Sequence, residues 1–248
     1  MNGVNEDFAQ WATSLNSIEG GNPEADIWFC GIEPGGGGHP TLWQPAAFFQ
    51  DEFGMNIPYR PQGYIGHLEH SQLDKKIAKV LWHLYGEEVD SPSWRHYMVN
   101  YLYTQNGHSF KLNLYPLSAN HIGEQSWTID HFNLTGLSTK CLYRAWCALH
   151  RFPFLHGLAE EYTPKVIVCI GKTFRRDFMI AFAAPEDIYA NHHEIQLDGN
   201  LSLEDVPIYG GESHLLIIPF LGGRRGGTNT DDQLNKLADK IKENFQIN

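Results

Sequence analysis

A single carboxylate followed by a run of glycines is the feature of this sequence best suited to chemistry. The stretch 27–40 reads IWFCGIEPGGGGHP, so an apolar segment leads into Glu33, Pro34 and four glycines. A carboxylate beside a sugar can take a proton from water and stabilise positive charge that develops on the sugar. Gly35 and Gly36 would let the backbone approach a phosphate or a base. We therefore expect Glu33 to be catalytic; the alternative is that it caps a turn or pairs with an arginine.

The residues that could hold a base lie in two other places. Asn113 ends an apolar run and offers two donors and one acceptor, which suffices to read the edge of a pyrimidine; an asparagine that only satisfies strand backbone is the alternative. An extruded base needs an aromatic partner, for which Phe48 is a candidate beside Trp43 and Phe49, although each could simply pack in the core or a lid. His39 either orients the attacking water or is an exposed loop histidine.

Two basic segments could bind phosphate. Arg224 and Arg225 lie between two Gly-Gly pairs after the last apolar run, and guanidinium groups there suit phosphate or carboxylate binding; a solvated turn is the alternative. Gly171 and Lys172 begin a G-K-T sequence, but the first glycine of a P-loop would fall on Val166. Lys172 begins a helix and could add a phosphate contact, and a solvated helix face is the alternative. These segments predict phosphate contacts without a nucleotide-binding motif.

The elements that must position these residues alternate between strand and helix. Four apolar runs, nearly continuous as in strands buried on both faces, are 26–32, 110–117, 165–171 and 214–222. Helical periodicity covers 71–86, 138–152, 172–183 and 230–245. The pattern predicts an α/β fold, a three-layer α/β/α sandwich with a central four-stranded, mostly parallel sheet. Segments 41–66 and 185–212 are expected to be long excursions, and residues 1–248 a single domain.

Composition narrows the function classes. The net charge of −11 argues against strong non-specific affinity for DNA, although a local basic loop could still contact it. The four cysteines form no C-x-x-C motif, and the histidines lack H-E-x-x-H spacing, so we expect no metal cluster, metal site or other cofactor. No apolar segment has the length of a membrane helix and no export signal is visible, which predicts a cytoplasmic protein without a membrane partner.

Taken together, the order of these motifs resembles the uracil-DNA glycosylase superfamily. The sequence GIEPG at 31–35 matches the first motif of that family with Glu33 in the water-activating position, Asn113 matches the base-reading asparagine, and EYTPKVIVCIG at 161–171 is similar to its third strand. The resemblance implies excision of a damaged or deaminated base from DNA by a monofunctional DNA glycosylase. It implies base or ligand contacts from Gly31, Ile32, Pro34, Gly35, Gly36, His39, Phe48, Asn113 and Tyr115, and DNA phosphate contacts from Gly171, Lys172, Arg224 and Arg225.

The sequence departs from the family at the fourth motif, where a histidine or asparagine steadies the leaving base. Here the strand reads IIPFLGGRR, with neither residue beside Pro219. Two alternatives therefore stay open besides excision from DNA. One is a non-catalytic protein that binds a nucleobase, nucleotide or other small anion on the same fold. The other is hydrolysis of a free nucleoside or modified nucleotide, which needs no basic DNA-binding face.

Overall fold

A seven-stranded sheet forms the centre of the protein. The computed structural model describes residues 3–35, 39–187, 192–199, 201–221 and 230–247. The strands are β1 (Gly20–Gly21), β2 (Ile27–Gly31), β3 (Ala47–Gln50), β4 (Asn56–Tyr59), β5 (Phe110–Asn113), β6 (Val166–Ile170), β7 (His193–Asp198), β8 (Leu201–Ile208) and β9 (Ser213–Ile218). The sheet has the order β1-β5-β2-β6-β9-β8-β7, and β3 and β4 form a separate two-stranded sheet.

The four predicted strands are the parallel centre of this sheet. The pairs β5–β2, β2–β6 and β6–β9 are all parallel, with Gly31 opposite Asn113 and Cys30 opposite Cys169. Every residue of β2, β5 and β6 is buried, as expected for strands covered by helices on both faces. The α/β class predicted from the sequence is therefore confirmed.

The predicted number of strands was wrong. Strand β1 adds to one edge of the sheet, and the antiparallel hairpin β7–β8 adds to the other beside β9. The hairpin lies inside 185–212, and β3 and β4 lie inside 41–66, both of which were expected to be excursions. Strand β7 has the sequence HEIQLD and is mostly exposed, so it lacks the apolar run by which the central strands were identified.

Helices cover both faces of the sheet. They are α1 (Glu6–Ala12), α2 (Gln72–Tyr85), α3 (Trp94–Asn100), α4 (Ile129–Thr135), α5 (Lys140–Trp146), α6 (Phe152–Tyr162), α7 (Arg175–Phe182) and α8 (Asp231–Phe245). Side chains of α1, α5, α6 and α7 share one hydrophobic core with alternate residues of the strands, and those of α2, α3 and α8 share the other. Three layers result. In the part of the chain that the structure describes, no helix is long and apolar enough to cross a membrane.

Side-chain caps mark the first residue of three of the predicted helices. The Ser71 side chain accepts a hydrogen bond from a first-turn amide of α2, and Thr230 forms a capping box at the start of α8. The helix expected to begin at Ser138 is instead capped by Thr139. It also runs further than predicted, because a π-helical segment, Cys147–Arg151, joins α5 to α6.

Candidate active site at the carboxyl edge of the sheet

The order of the parallel strands puts the expected ligand crevice between β2 and β6. The first strand along the chain, β2, lies between the second, β5, and the third, β6. In such sheets the crevice beyond the carboxyl ends opens where the strand order reverses. Ile32 and Gly171 meet here, because a Cβ added to Gly171 would lie 2.8 Å from Ile32 Cδ1. Gly171 also has a φ of 124°, which side-chain-bearing residues rarely adopt.

The carboxylate of Glu33 lies immediately after β2 and points inward. Its side chain is 6% exposed and pairs with the ammonium of Lys140, the first residue of α5. Oε1 accepts a hydrogen bond from Lys140 Nζ at 3.0 Å, and Oε2 lies 2.9 Å from the same nitrogen. Oε2 nevertheless accepts no hydrogen bond from the residues that the structure describes. Both carboxylate oxygens thus contact the Lys140 ammonium, but only Oε1 accepts a hydrogen bond from it.

Burial governs the protonation of this pair. It raises the pKa of Glu33 above 4.5, against the opposing effect of Lys140, and it lowers the pKa of Lys140 below 10.5, against the opposing effect of Glu33. A carboxyl whose pKa moves towards neutrality is better matched to proton transfer near neutral pH than an exposed one. One alternative from the sequence was that Glu33 pairs with an arginine. Glu33 does pair with a cation, but that cation is a lysine.

Lys140 is the partner of Glu33 that the sequence analysis missed. Its Nζ donates to Ser126 Oγ at 3.0 Å and to the His121 carbonyl at 2.9 Å, in addition to Glu33, and its side chain is 1% exposed. A cation in the first turn of a helix is opposed by the helix dipole. That unfavourable position was the available signal that Lys140 serves a buried contact.

A second polar group lies on the same face as the Glu33 pair. Tyr115 is buried, and Asp177 of α7 lies near its hydroxyl. The Arg144 guanidinium of α5 lies 5.7 Å from the centre of the Tyr115 ring and donates to the Ile122 carbonyl. Burial raises the pKa of Tyr115 far above its usual range, and desolvation also raises the pKa of Asp177. Tyr115 therefore packs in the core, and its expected ligand contact stays a prediction.

Asn113 belongs to a different network from Glu33. Its amide donates to Glu19 Oε1 at 2.9 Å, and its side chain is buried. A Cβ on Gly31 would lie 2.3 Å from Asn113 Oδ1, so Gly31 has to be a glycine for the asparagine to adopt this orientation. The structure thus brings together Gly31 and Asn113, two of the predicted ligand contacts. The Asn113 donor, however, already has a protein partner.

The network around Asn113 carries buried charge. Lys111 Nζ lies 2.7 Å from Glu19 Oε2 and 2.7 Å from Asp74 Oδ1, and Tyr103 donates to the same Asp74 oxygen at 2.9 Å. Lys111 holds the pKa of Glu19 at about 2, against the opposing effect of burial. Lys111 alternates with the apolar residues of β5, and a lysine inside an apolar strand was the sequence signal for this network.

An open cleft lies on the β6–β9 side of the crevice. Its volume is about 310 Å³, and its lining residues are Gly171, Lys172, Thr173, Leu201, Ser202, Pro219 and Phe220. Lys172 Nζ donates to Ser202 Oγ at 3.0 Å, so its ammonium is held at the wall of the cleft. The predicted phosphate contacts Gly171 and Lys172 therefore share this cleft with the fourth-motif proline. Glu33 and Asn113 do not line it.

The other predicted contacts are dispersed. Pro34 is half-buried and Gly35 is exposed. The His39 side chain is 90% exposed, and its Nδ1 lies 3.0 Å from Asp130 Oδ2, so its partner is Asp130 and not Glu33. Phe48 is 39% exposed on β3, whereas Trp43 and Phe49 pack against the core, as the alternative reading held for those two. Gly36, Arg224 and Arg225 lie outside the described residues.

The described residues contain no group of histidine, cysteine, aspartate or glutamate side chains arranged to hold a metal ion. No protein-family model matches the chain, and comparison with curated proteins returns no match. The function must therefore be inferred from the geometry of this edge of the sheet.

Proposed function

We propose that the chain hydrolyses the N-glycosidic bond of a modified nucleotide in DNA, with Glu33 as the group that activates water, in the manner of the uracil-DNA glycosylase superfamily. The observation that carries this proposal is the buried Glu33–Lys140 pair at the carboxyl end of β2, in which Oε2 has an ion-pair contact with Lys140 Nζ at 2.9 Å but no hydrogen bond from the described residues. A bound water would donate the hydrogen bond that this oxygen lacks. The GIEPG sequence and its position at the end of the first parallel strand give further support.

The proposed reaction is a simple hydrolysis. The bond between the anomeric carbon and the base nitrogen breaks, and the departing base takes the electron pair. The water oxygen forms a bond to the anomeric carbon while Glu33 accepts the water proton, which then passes to the departing base. The ionised carboxylate also stabilises the positive charge that develops on the sugar.

Lys140 would keep Glu33 ionised and fix its orientation. Its three donors are directed at the carboxylate, Ser126 and a backbone carbonyl, so the ammonium cannot move away without leaving acceptors unpaired. Because the catalytic form of Glu33 is deprotonated, the rate should rise as the pH passes its pKa. Burial places that ascending limb above pH 4.5.

The test is base excision measured on defined substrates. The substrates are duplex and single-stranded oligonucleotides carrying uracil, hypoxanthine or xanthine, and the corresponding free nucleosides. Abasic sites in the oligonucleotides are revealed by alkaline cleavage, and base released from the nucleosides is measured by chromatography. The expected result is release of at least one base, reduced about 10²- to 10⁴-fold in Glu33→Gln, which removes the proton acceptor. An unchanged rate in Glu33→Gln, or no release from any substrate, would refute the proposal. Release from nucleosides alone would assign the hydrolysis to free nucleosides.

A second candidate function is binding without catalysis. The observation that favours it is that the open cleft is lined by Gly171 and Lys172, while Glu33 lies outside it. A lysine held at a cleft wall can bind the phosphate of a nucleotide as a point charge. Thermal-shift measurements with nucleobases and nucleotides would test this reading. We expect stabilisation that is lost in Lys172→Ala and kept in Lys165→Ala, an exposed lysine paired with Asp26 elsewhere.

A further inference from the structure

A basic groove lies on the helical face opposite the Glu33 pair. Its volume is about 790 Å³, and it is formed by α2, α3, the first turn of α8 and the segment that precedes α2. Four cations line it: Lys75, Lys76 and Lys79 of α2, and Arg95 of α3. Within the described residues of a protein whose net charge is −11, this is a marked local excess of positive charge.

The acidic residues of the groove do not cancel this charge. Glu69 and Asp231 also line it, so four cations face two carboxylates. Asp231 Oδ1 pairs with Lys79 Nζ at 2.5 Å, which occupies one cation and one carboxylate together. Lys75 and Arg95 then face the remaining carboxylate, Glu69.

Two of the cations contact the same aromatic ring. Lys79 Nζ and the Arg95 guanidinium lie 5.2 Å and 5.1 Å from the Trp94 ring centre. Burial, and then the nearby charge of Lys79, lower the pKa of Lys76. Crowding of like charges costs free energy, and an anion in the groove would relieve it.

One of these lysines lies at the start of its helix. Lys75 is in the first turn of α2, where the helix dipole disfavours a cation and favours a bound anion.

The groove lies at the same edge of the sheet as Glu33. Asp74, in the first turn of α2, contacts Lys111 of β5, while Tyr85 at the other end stacks on His108, which precedes β5. Helix α8 runs in the same direction, since Phe245 near its end contacts His214 at the start of β9. Both helices thus begin where the parallel strands end.

We infer that the groove lined by Lys75, Lys76, Lys79 and Arg95 is a second anion site, one that binds phosphate groups of a nucleotide or a nucleic-acid strand. The choice of phosphate over carboxylate rests on the proposed function, because a nucleotide substrate at Glu33 would extend along this edge. The anion site itself does not depend on that function.

Binding is measured with a probe that no glycosylase cleaves. Fluorescein-labelled single-stranded dT12 is titrated with the full chain at 50 mM and 150 mM NaCl, and inorganic triphosphate and polyglutamate serve as competitors. The variant Lys75→Gln/Lys76→Gln/Arg95→Gln leaves the Lys79–Asp231 pair intact. Its matched control, Lys165→Gln/Lys240→Gln/Lys242→Gln, removes the same charge from exposed positions elsewhere.

We expect the groove variant to bind dT12 at least tenfold more weakly than the control variant, with a shallower dependence on salt because fewer phosphates are neutralised. Competition by triphosphate at comparable phosphate concentration would identify free phosphate groups as the ligand, and its failure would identify the strand. Equal affinity of the two variants, or no binding, would overturn the site. Stronger competition by polyglutamate than by triphosphate would overturn the choice of phosphate. Excision activity at Glu33 does not enter any of these outcomes.

Discussion

Replacing Lys140 with methionine tests whether Glu33 is buried and paired as described. Breaking a buried ion pair by removing one partner costs about 3–5 kcal/mol, because the other charge is left without compensation. Glu33 can escape that cost by taking up a proton. For a carboxyl whose ordinary pKa is 4.5, protonation at pH 7 costs about 3 kcal/mol, at 1.36 kcal/mol per pH unit, and at pH 5 it costs under about 1 kcal/mol. The charge-related destabilisation of Lys140→Met should therefore be larger at pH 7 than at pH 5 by up to about 3 kcal/mol, and by less the further burial already raises the pKa of Glu33 in the unaltered protein.

The measurement is the free energy of unfolding from urea titrations at both pH values. Ser126 and the His121 carbonyl also lose their donor, which adds a cost that does not depend on pH in this range. The double variant Glu33→Gln/Lys140→Met carries neither charge and shares that second cost, so it should show no comparable pH dependence. Lys240→Met is the control for an exposed pair, since Lys240 contacts Glu243 in solvent, and it should cost under about 1 kcal/mol.

A destabilisation of Lys140→Met that matches Lys240→Met at both pH values would refute this reasoning. It would mean that Glu33 reaches solvent when its partner is lost, and that its carboxylate is not confined at the carboxyl edge of β2. The proposed role of Glu33 as a buried proton acceptor would then lose its structural basis. A large cost that is equal at pH 5 and pH 7 would assign the effect to packing around Lys140 and contradict the electrostatic account.

Two further predictions concern the network around Asn113. Gly31→Ala should destabilise the fold by about 1–3 kcal/mol in urea unfolding, because its Cβ would lie 2.3 Å from Asn113 Oδ1. The control is Gly157→Ala on α6, where an added Cβ meets nothing within 4 Å and the change should be neutral or stabilising. Equal effects of the two substitutions would contradict the close approach of Gly31 and Asn113. Glu19 has a pKa lowered to about 2 by Lys111, so its contribution is complete above pH 4.5 and is lost as the pH falls towards 2. Its loss amounts to about 3 kcal/mol, and Glu19→Gln should flatten the unfolding free energy between pH 5 and pH 3; parallel curves for the two proteins would count against the pairing.

The central strands could be predicted because their burial is two-sided. Parallel strands covered by helices on both faces read as continuous apolar runs, and β2, β6 and β9 have that pattern. Strand β7 and much of β8 could not be identified in the same way. They lie beyond β9, and charged residues interrupt the apolar residues in both runs of their antiparallel hairpin, HEIQLD and LSLEDVPI.

The partners of the charged site residues could not be predicted, because nothing local specifies them. Glu33 was identified from its own flanking sequence, but Lys140 lies 107 positions away and is brought to it only by the packing of α5. Asn113 was identified from its place at the end of a strand, but Glu19, which occupies its amide, lies 94 positions earlier. Sequence pattern located the carboxyl ends of the strands, and tertiary contacts determined which side chains remained available there.

The two buried lysines give the carboxyl edge of the sheet its character. Lys140 holds Glu33 from the layer of α5, and Lys111 holds Glu19 and Asp74 from the layer of α2, so adjacent strands β2 and β5 end between two charge networks on opposite faces. A buried ion pair is weak support for stability, since apolar side chains of similar volume often serve as well. In the Lys111 network Asp74 Oδ1 accepts hydrogen bonds from Lys111 and Tyr103, whereas Glu33 Oε2 has an ion-pair contact with Lys140 and no hydrogen bond from the described residues. That difference is the physical reason to propose a structural role for the Lys111 network and proton transfer for Glu33.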